Sequence, residues 1–270
     1  MSIAAKDIKK LRELSGAGMQ DCQKALKESK EDIKKAIEIL RKKGIAKASK
    51  RSGREAKEGM IMVGVNAEEN EGYMVELNAE TDFVVRSDKF QEFANKIFSI
   101  IKEHKPNSRE KLFNLSFENG TVQNALENLS GIIGEKLDIS QLEILTSDGT
   151  VGAYSHMRGK IGVLVAIGKT DESDLAHNIA MQIAAANPKY LSSEDVPADE
   201  INKEKEIYKE QLIKSGKPEN ILAKIIKGKL NKYFKEITLL KQEYIKDDKK
   251  IVEEVLGEIK IKKYVRYSLV

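Results

Sequence analysis

Histidine and cysteine are the side chains most often used for catalysis and metal binding, and this 270-residue sequence has three histidines and one cysteine. No two of the histidines, His104, His156 and His177, have the i, i+4 spacing of two metal ligands on one helix face. With Cys22 as the single thiol, a zinc site is not indicated and an internal disulfide is impossible. These residue types therefore predict no metal site and no catalytic site.

His156 stands in the stretch AYSHMRGKIG and could serve as a general base. Such a base acts on a nucleophile or substrate within hydrogen-bond reach and is usually oriented by a further polar group. No recognisable motif places a serine, a cysteine or a carboxylate beside it. The sequence therefore favours a loop histidine with a structural role, and a hydrolase that uses His156 stays open as an alternative.

The tripeptide Gly168-Lys169-Thr170 follows a predicted strand and precedes a predicted helix, as a phosphate-binding loop does. Such a loop needs the pattern G-x-x-x-x-G-K-[ST], so that backbone N–H groups can surround the phosphates. The position of the first glycine is occupied by Val163, inside an apolar run. The sequence therefore predicts no nucleotide site, no cofactor and no enzyme, and it favours a binding protein.

The composition is that of a globular protein with a charged surface, since 40% of the residues are hydrophobic and 33% are charged. The net charge is +4, from 47 basic and 43 acidic residues, so we expect no direct nucleic-acid partner. The longest strongly apolar run, 161–167, is far shorter than the roughly 20 residues that span a membrane. The N-terminus lacks the apolar run of a signal peptide, and a single cysteine suits a reducing compartment. We expect a cytoplasmic protein without a membrane partner.

The pattern of apolar residues predicts an α+β protein that begins with a three-helix module of a ubiquitin-associated-like kind. The second helix covers about 19–27, and the third begins near Ser29 and Asp32, which have capping-box spacing, and ends at Gly44. The apolar face of the first helix is predicted from Ile8, Leu11 and Leu14.

Two related α+β core subdomains with antiparallel sheets are predicted next, because strand, turn, strand and helix occur in this order at about 60–101 and again at about 150–186. The strand predicted at 160–167 is apolar from residue 161 onward and is predicted to be central. The predicted parts of the chain are the helical module 1–45, a basic linker 46–58, the core N-subdomain 59–140, the first part of the core C-subdomain 141–196, a helical hairpin 197–236 and a return segment 237–270.

The hairpin is inserted in the second subdomain and is predicted to be an antiparallel coiled coil that projects from the body. Its two helices are highly charged, and their apolar stripes are narrow. They flank the turn SGKPEN, where Gly216 is expected to end the first helix and Pro218 to start the second. In the return segment, a short helix is predicted near 248–257 and a strand after it.

The stretch NAETDFVV, residues 78–85, ends a well-patterned strand with a charge and a large aromatic side chain. Large aromatic residues are usually inside proteins, so the pattern alone favours a buried Phe83. The alternative is that Phe83 points outward to contact another protein.

The sequence resembles the elongation factor Ts family of bacterial translation factors over essentially its whole length. The motifs that carry the resemblance are LRELSGAGMQDCQKALKES, DIKKAIEILRKKGIAKASKR, VELNAETDFVVRSDKF, HMRGKIGVLVAI and LLKQEYIKDDKK. The third of them contains the family pattern E-x-N-x-x-T-D-F-V. The tetrapeptide T-D-F-V alone would be a weak signal, but the combination and the order are highly specific.

The resemblance implies a guanine-nucleotide exchange factor for elongation factor Tu, the GTPase that carries aminoacyl-tRNA to the ribosome. It implies that Thr81, Asp82, Phe83 and Val84 meet the GTPase near its nucleotide site. Phe83 would wedge between side chains of the GTPase, disturb its Mg²⁺, promote GDP release and let GTP bind again. We therefore expect Phe83 to be exposed in the free protein.

Further partner contacts are implied by the same resemblance. Arg12, Gly18 and Met19 of the helical module match contacts with the GTPase domain, and His156 and Ile245 match contacts elsewhere on the partner. In the family the hairpin can mediate a homodimer or a two-plus-two complex.

Two departures from the family pattern affect these contacts. Gln20 and Gln23 stand where some members carry Met and Lys, so the contacts of the helical module are expected to differ. The sequence ends at Val270, where some relatives continue into a helix that touches the GTPase, and that contact is expected to be absent.

A ribosome-associated or RNA-binding protein is the other alternative, because the segment 41–57 is mostly basic. It predicts salt-sensitive RNA binding that is lost when Lys50, Arg51 and Arg54 are removed. A solvated connector is the simpler interpretation of this segment.

Overall fold

The chain forms a helical head, two sheets covered by helices and a helical hairpin, in a computed structural model that describes residues 3–118, 120–215 and 218–270. The helices are α1 (Ala5–Ser15), α2 (Met19–Glu28), α3 (Ile33–Ser49), α4 (Asp82–Val85), α5 (Asp88–His104), α6 (Arg109–Asn114), α7 (Val122–Ile133), α8 (Ser173–Ala186), α9 (Ala198–Lys214), α10 (Glu219–Ile237) and α11 (Val252–Leu256). The strands are β1 (Glu58–Val65), β2 (Glu71–Ala79), β3 (Ser116–Phe117), β4 (Gly120–Thr121), β5 (Leu137–Thr146), β6 (Thr150–His156), β7 (Ile161–Ile167), β8 (Glu243–Tyr244), β9 (Asp247–Ile251) and β10 (Ile261–Ser268). The predicted α+β class is confirmed.

The helical head is α1, α2 and α3, packed around a small core that includes Leu11, Cys22 and Leu26. The predicted capping box at the start of α3 is wrong in one detail. Asp32 alone caps α3, by accepting a hydrogen bond from the backbone N–H of Lys35 at 3.1 Å, while the residue at position 29 ends α2. The end of α2 and the start of α3 are therefore set by two different residues, Ser29 and Asp32.

Gly44 does not end α3, which continues to Ser49, so the predicted stop is wrong and the first residues of the predicted linker are helical. The physical reason is a close helix crossing between α3 and α7. A Cβ atom added at Gly131 of α7 would lie 2.6 Å from the Cα of Gly44. Glycine is present at this crossing because the two backbones touch there, and the head is thereby packed onto the body.

The body contains two three-stranded antiparallel sheets, with strand orders β1-β2-β5 and β10-β7-β6. The predicted central position of β7 is confirmed. The predicted division between residues 140 and 141 falls inside β5, which pairs with β2 from Leu137 opposite Ala79 to Thr146 opposite Glu71. The hydrogen bonds of this whole strand therefore belong to the first sheet.

The two sheets stack face to face, with helices on their outer faces. Ile61, Met74 and Leu164 are buried between the sheets, whereas α5 and α7 cover the first sheet and α8 covers the second. A Cβ added at Gly72 would lie 2.8 Å from side-chain atoms of both Leu164 and Val151, so glycine at position 72 permits the close approach. Both faces of β2 are covered, which explains why this strand is buried along its whole length.

The hairpin helices α9 and α10 pack through the buried residues Leu212, Leu222 and Leu230. Pro218 directly precedes α10, as predicted, and the predicted stop at Gly216 lies outside the described residues. Over the described ranges, no helix has both the length and the apolar character needed to cross a membrane.

The return segment begins with a small hairpin of β8 and β9, in which Tyr244 pairs with Asp247. The predicted helix near 248–257 is therefore shorter than expected, because its first residues form a strand, and it is α11. The predicted final strand is β10, which pairs with β7.

The base of the hairpin is joined to the body by hydrogen bonds to one carboxylate. Glu200 of α9 accepts bonds from Lys189 Nζ at 2.8 Å, from the hydroxyl of Tyr233 at 2.7 Å and from the hydroxyl of Tyr190 at 2.8 Å. Lys189, and then the two tyrosines, lower the pKa of Glu200 to about 2. The cluster connects both hairpin helices with the segment after α8.

We expect the substitution Glu200→Gln to lower the free energy of unfolding at neutral pH and to have less effect in acid. The pKa of Glu200 falls from 4.5, its ordinary value, to about 2 in the folded protein. The ionised carboxylate therefore stabilises the fold above about pH 4.5, and this contribution is lost as the pH falls toward 2. Urea unfolding of the wild type and the variant across this range measures the difference, with Glu210→Gln on an exposed position of α9 as the control. A difference that stays constant down to pH 2 would contradict the assignment.

Candidate protein-binding site

The stretch Thr81-Asp82-Phe83-Val84 forms the start of the one-turn helix α4, between β2 and α5. Thr81 caps this turn, because its Oγ1 accepts a hydrogen bond from the backbone N–H of Val84 at 3.4 Å. Val84 and Val85 pack against the core of the first sheet. Successive residues of a helix point about 100° apart, so Asp82 and Phe83 lie on the opposite side and face outward.

Phe83 is 81% exposed, the highest exposure of any large apolar side chain in the described part of the chain. The burial favoured by pattern alone is therefore wrong, and the exposure expected from the family resemblance is confirmed. The physical reason is local, since the two valines that follow already occupy the inner side of the turn. Aromatic side chains are enriched at protein interfaces, so a phenylalanine held in water marks a candidate contact.

Glu135, in the loop between α7 and β5, holds the start of the turn in place. The backbone N–H of Thr81 donates to Glu135 Oε2 at 3.0 Å, and the Thr81 hydroxyl donates to Oε1 at 2.8 Å. At the other end, the Ser87 hydroxyl donates to the carbonyl of Val84 at 2.7 Å. Both ends of α4 are bonded, so Phe83 is presented on an ordered element.

Glu80, the residue before the motif, bonds to the connector that follows α3. Its Oε1 accepts hydrogen bonds from the backbone N–H of Lys136 at 2.6 Å and from Arg54 at 3.2 Å. The Lys136 N–H, with help from Arg54, lowers the pKa of Glu80 below its usual range. Arg51 donates to the carbonyl of Ser130 at 3.3 Å. Two arginines that the RNA-binding alternative requires thus bond within the protein.

A surface groove of about 400 Å³ brings the head and the motif together. Arg12 and Gly18 line it on one side and Phe83 on the other. Lys89, in the first turn of α5, donates to the carbonyl of Gly16 at 3.2 Å and joins the two sides. Residues that are far apart in the sequence therefore share one groove.

Two further apolar side chains of the head are exposed near this groove. Met19, at the start of α2, is 62% exposed, and Leu14 of α1 is 60% exposed. Leu14 belongs to the apolar spacing that predicted α1, but of the residues in this helix only Leu11 is buried. Leu14 lines a second groove, which shares Ala17 and Gly18 with the first, so the exposed apolar surface extends from Phe83 to α1.

His156 lies at the end of β6, on the second sheet. Its Nδ1 is 3.0 Å from the hydroxyl oxygen of Tyr154, whose ring packs edge-on against His177 of α8. No carboxylate of the described residues bonds to His156, so the hydrolase alternative lacks the partner that would orient a base.

Ile245 is exposed in the turn between β8 and β9. Its backbone N–H donates to Gln182 Oε1 at 2.8 Å, and Gln182 is buried on α8. His177 and Gln182 are five positions apart on this helix, or about 7.5 Å along its axis. Tyr154, which neighbours His156, and the backbone of Ile245 thus contact the same helix.

The sequence was compared with family models and with known proteins, and the matches include the T-D-F-V motif. A family model described as Elongation factor TS matches residues 80–270, beginning one residue before the T-D-F-V motif. The elongation factor Ts of Chloroherpeton thalassium is 43% identical over 283 residues, which cover 99% of this chain and 98% of the relative. The chain belongs to the elongation factor Ts family.

Other members of the elongation factor Ts family show the same full-length agreement. The proteins of Clostridium botulinum strain Eklund 17B and of Halothermothrix orenii are each 42% identical, over 98% and 100% of this chain and 92% and 93% of the relatives. The similarity therefore includes the helical head and the hairpin as well as the sheets.

Glu135 and Leu14 are the candidate site residues in this elongation factor Ts chain that the sequence did not indicate. Glu135 acts from a position 54 residues after Thr81, and no local pattern connects the two. Leu14 follows the ordinary helical spacing of apolar residues in α1. This spacing does not reveal which residues of α1 the neighbouring helices leave exposed. Within the part of the chain that the structure describes, no group of His, Cys, Asp and Glu is arranged to hold a metal ion.

We expect Glu135→Gln to loosen α4. A carboxylate accepts from both Thr81 donors, whereas an amide has one acceptor oxygen and turns its NH₂ group toward the other donor. A local loss of about 1–2 kcal/mol would speed hydrogen exchange of the α4 amides by about 5- to 30-fold. Amide exchange followed by NMR measures this, with Glu127→Gln as the control, since Glu127 bonds Gln123 within α7. Equal exchange in the two variants would show that Glu135 does not hold the turn.

Proposed function

We propose that this protein is a guanine-nucleotide exchange factor for elongation factor Tu and performs no bond-making chemistry of its own. The observation that carries the proposal is the exposed Phe83 on a clamped turn, in a chain that belongs to the elongation factor Ts family. An exposed aromatic side chain on an ordered element binds a partner with little loss of conformational freedom.

In the proposed mechanism, Phe83 inserts between side chains of the GTPase near its nucleotide site. GDP is held partly through Mg²⁺, which bridges phosphate oxygens and a hydroxyl of the phosphate-binding loop. Displacement of this ion removes a large local positive charge and weakens phosphate binding. Asp82 faces the same side as Phe83, and its carboxylate pairs with Arg86 at 2.8 Å, so both charges lie at the proposed contact.

The free energy gained by burying Phe83 in the GTPase is large enough to weaken GDP binding substantially. Burial of a phenylalanine side chain contributes about 1.5–3 kcal/mol, and each 1.4 kcal/mol changes an equilibrium constant about tenfold. Phe83 alone can therefore weaken GDP binding by roughly 10- to 100-fold. The coupling is reciprocal, so rebinding of nucleotide must release the exchange factor to the same extent.

The other candidate residues extend the proposed interface over two surfaces. Arg12, Gly18 and Met19 would contact the GTPase domain beside Phe83, and the exposed Leu14 would enlarge this apolar contact. His156 and Ile245 would contact another part of the partner. Contacts on both sheets would keep Phe83 oriented while the nucleotide leaves.

Stopped-flow release of a fluorescent GDP analogue from elongation factor Tu tests the proposal. We expect the wild-type protein to accelerate release, and we expect added Mg²⁺ to oppose this acceleration. Release by EDTA shows that the GTPase preparation is competent. If EDTA releases the nucleotide and this protein does not, the proposed function is wrong.

A further inference from the structure

The helix α10 presents a face of lysine side chains to solvent. Its sequence carries five lysines and two glutamates. Lys224, Lys227 and Lys235 are exposed, and none of them forms an ion pair within the described part of the chain. At about 100° per residue, these three lysines lie within about 80° of one another, on the side opposite the buried Leu222 and Leu230. Their charges therefore point away from the hairpin core.

Gly228 lies at the edge of this lysine face, about 40° around the helix from Lys224. Glycine is unfavourable inside an exposed helix, and apart from the adjacent residues and backbone of its own helix no described atom lies within 4 Å of the place where a Cβ would be. Packing within the chain therefore does not require a glycine here. A position without a side chain, between Lys227 and Lys235, lets the backbone of a partner approach the helix closely.

The charge is confined to one helix of the hairpin. α9 carries four lysines and five acidic residues, so its surface is mixed. The small net charge of the whole chain hides this local separation, which is why composition predicts no nucleic-acid partner. The spacing of Lys224, Lys227 and Lys235 around α10, and the absence of ion pairs to these three among the described residues, reveal the separation.

The chemistry of the face favours a phosphate backbone over a protein or a membrane. Lysine is depleted at protein interfaces, which prefer aromatic residues and arginine. A membrane-bound helix needs a free apolar face, but the apolar face of α10 packs against α9. Exposed lysines without neighbouring aromatic rings suit phosphate contacts that do not depend on base sequence.

We infer that the face formed by Lys224, Lys227 and Lys235, with Lys232 at its side, binds the phosphate backbone of RNA. From Lys224 to Lys235 the helix extends 11 residues, or about 16 Å. This length accommodates about three phosphate contacts, one for each lysine. The inference is independent of the exchange activity, since it uses no residue of the proposed interface with the GTPase.

Fluorescence anisotropy with a fluorescein-labelled RNA hairpin tests the inference. With about three phosphate contacts, the wild-type affinity should fall about 40-fold between 50 and 200 mM salt. The triple variant Lys224→Gln, Lys227→Gln, Lys235→Gln should bind at least about tenfold more weakly at low salt and lose most of the salt dependence.

The matched control removes the same charge from α9, by Lys203→Gln, Lys205→Gln and Lys209→Gln, and should keep the wild-type affinity. Circular dichroism checks that both variants remain helical. Equal weakening in both variants, or no salt-dependent binding by the wild type, overturns the inference. If sedimentation shows instead that the wild type self-associates and the α10 variant does not, the lysine face contacts a second copy of the chain and the RNA assignment is wrong.

Discussion

The substitution Phe83→Ala is expected to slow GDP release from elongation factor Tu by about 10- to 100-fold relative to the wild-type protein. The alanine removes the apolar surface that the proposed mechanism inserts into the GTPase. Phe83 is exposed and makes no core contact, so the free energy of unfolding should change by less than about 0.5 kcal/mol. Stopped-flow release and thermal unfolding measure the two effects separately.

The matched control for this experiment is Ile213→Ala. Ile213 is an apolar residue of α9 that is 54% exposed, and it does not line the groove beside Phe83. We expect its truncation to leave the release rate unchanged. If both variants accelerate release as well as the wild type does, the exchange activity stands but Phe83 is not the residue that drives it.

The substitution Gly131→Ala is expected to destabilise the packing of the head on the body by about 1–3 kcal/mol. The new Cβ would lie 2.6 Å from the Cα of Gly44 and 2.9 Å from its carbonyl carbon and oxygen. These are backbone atoms, so α3 and α7 must separate to make room. Such a change should lower Tm by roughly 2–10 °C.

The control is Gly44→Ala, which adds a Cβ atom at the same crossing but on α3 instead of α7. A Cβ at Gly44 would lie 3.6 Å from Asn128 Oδ1 and 3.9 Å from the Cα of Gly131, which are ordinary contacts. Because alanine favours a helix by up to about 1 kcal/mol over glycine, this variant should be neutral or slightly more stable. Equal Tm losses for the two substitutions would contradict the asymmetry of the crossing.

The same pair of variants also tests whether the position of the head contributes to exchange. Arg12 and Gly18 line the groove beside Phe83 because the head is packed on α7 and joined to α5. We therefore expect Gly131→Ala to reduce the acceleration of GDP release and Gly44→Ala to preserve it. Unchanged release with Gly131→Ala would show that the motif acts without the head.

Several elements could be predicted from the sequence because their signals are local. The 3.6-residue spacing of apolar side chains identified the three helices of the head, and the unbroken apolar run 161–167 identified the central strand β7. The order of the motifs also placed the chain in its family. The helix and strand signals each lie within a few neighbouring residues, where backbone geometry directly links spacing to structure.

Other features depended on segments that are distant in the sequence. Gly44 has the local signature of a helix end, but the crossing with Gly131 makes it an interior residue of α3. The predicted subdomain boundary falls inside β5, but hydrogen bonds to β2 place the whole strand in the first sheet. Packing and strand pairing between remote segments decide such features, and the pattern of one segment does not contain them.

By itself the sequence determined the helical head, the strand and helix patterns, the T-D-F-V motif and the family. Only the tertiary structure decided that Phe83 is exposed, that Leu14 is uncovered and that Glu135 holds the turn. It also showed that Lys224, Lys227 and Lys235 of α10 form one exposed face without ion pairs among the described residues, although the chain as a whole is nearly balanced in charge. The physical reason is that exposure and charge pairing depend on which distant surfaces meet, whereas periodicity depends on adjacent residues alone.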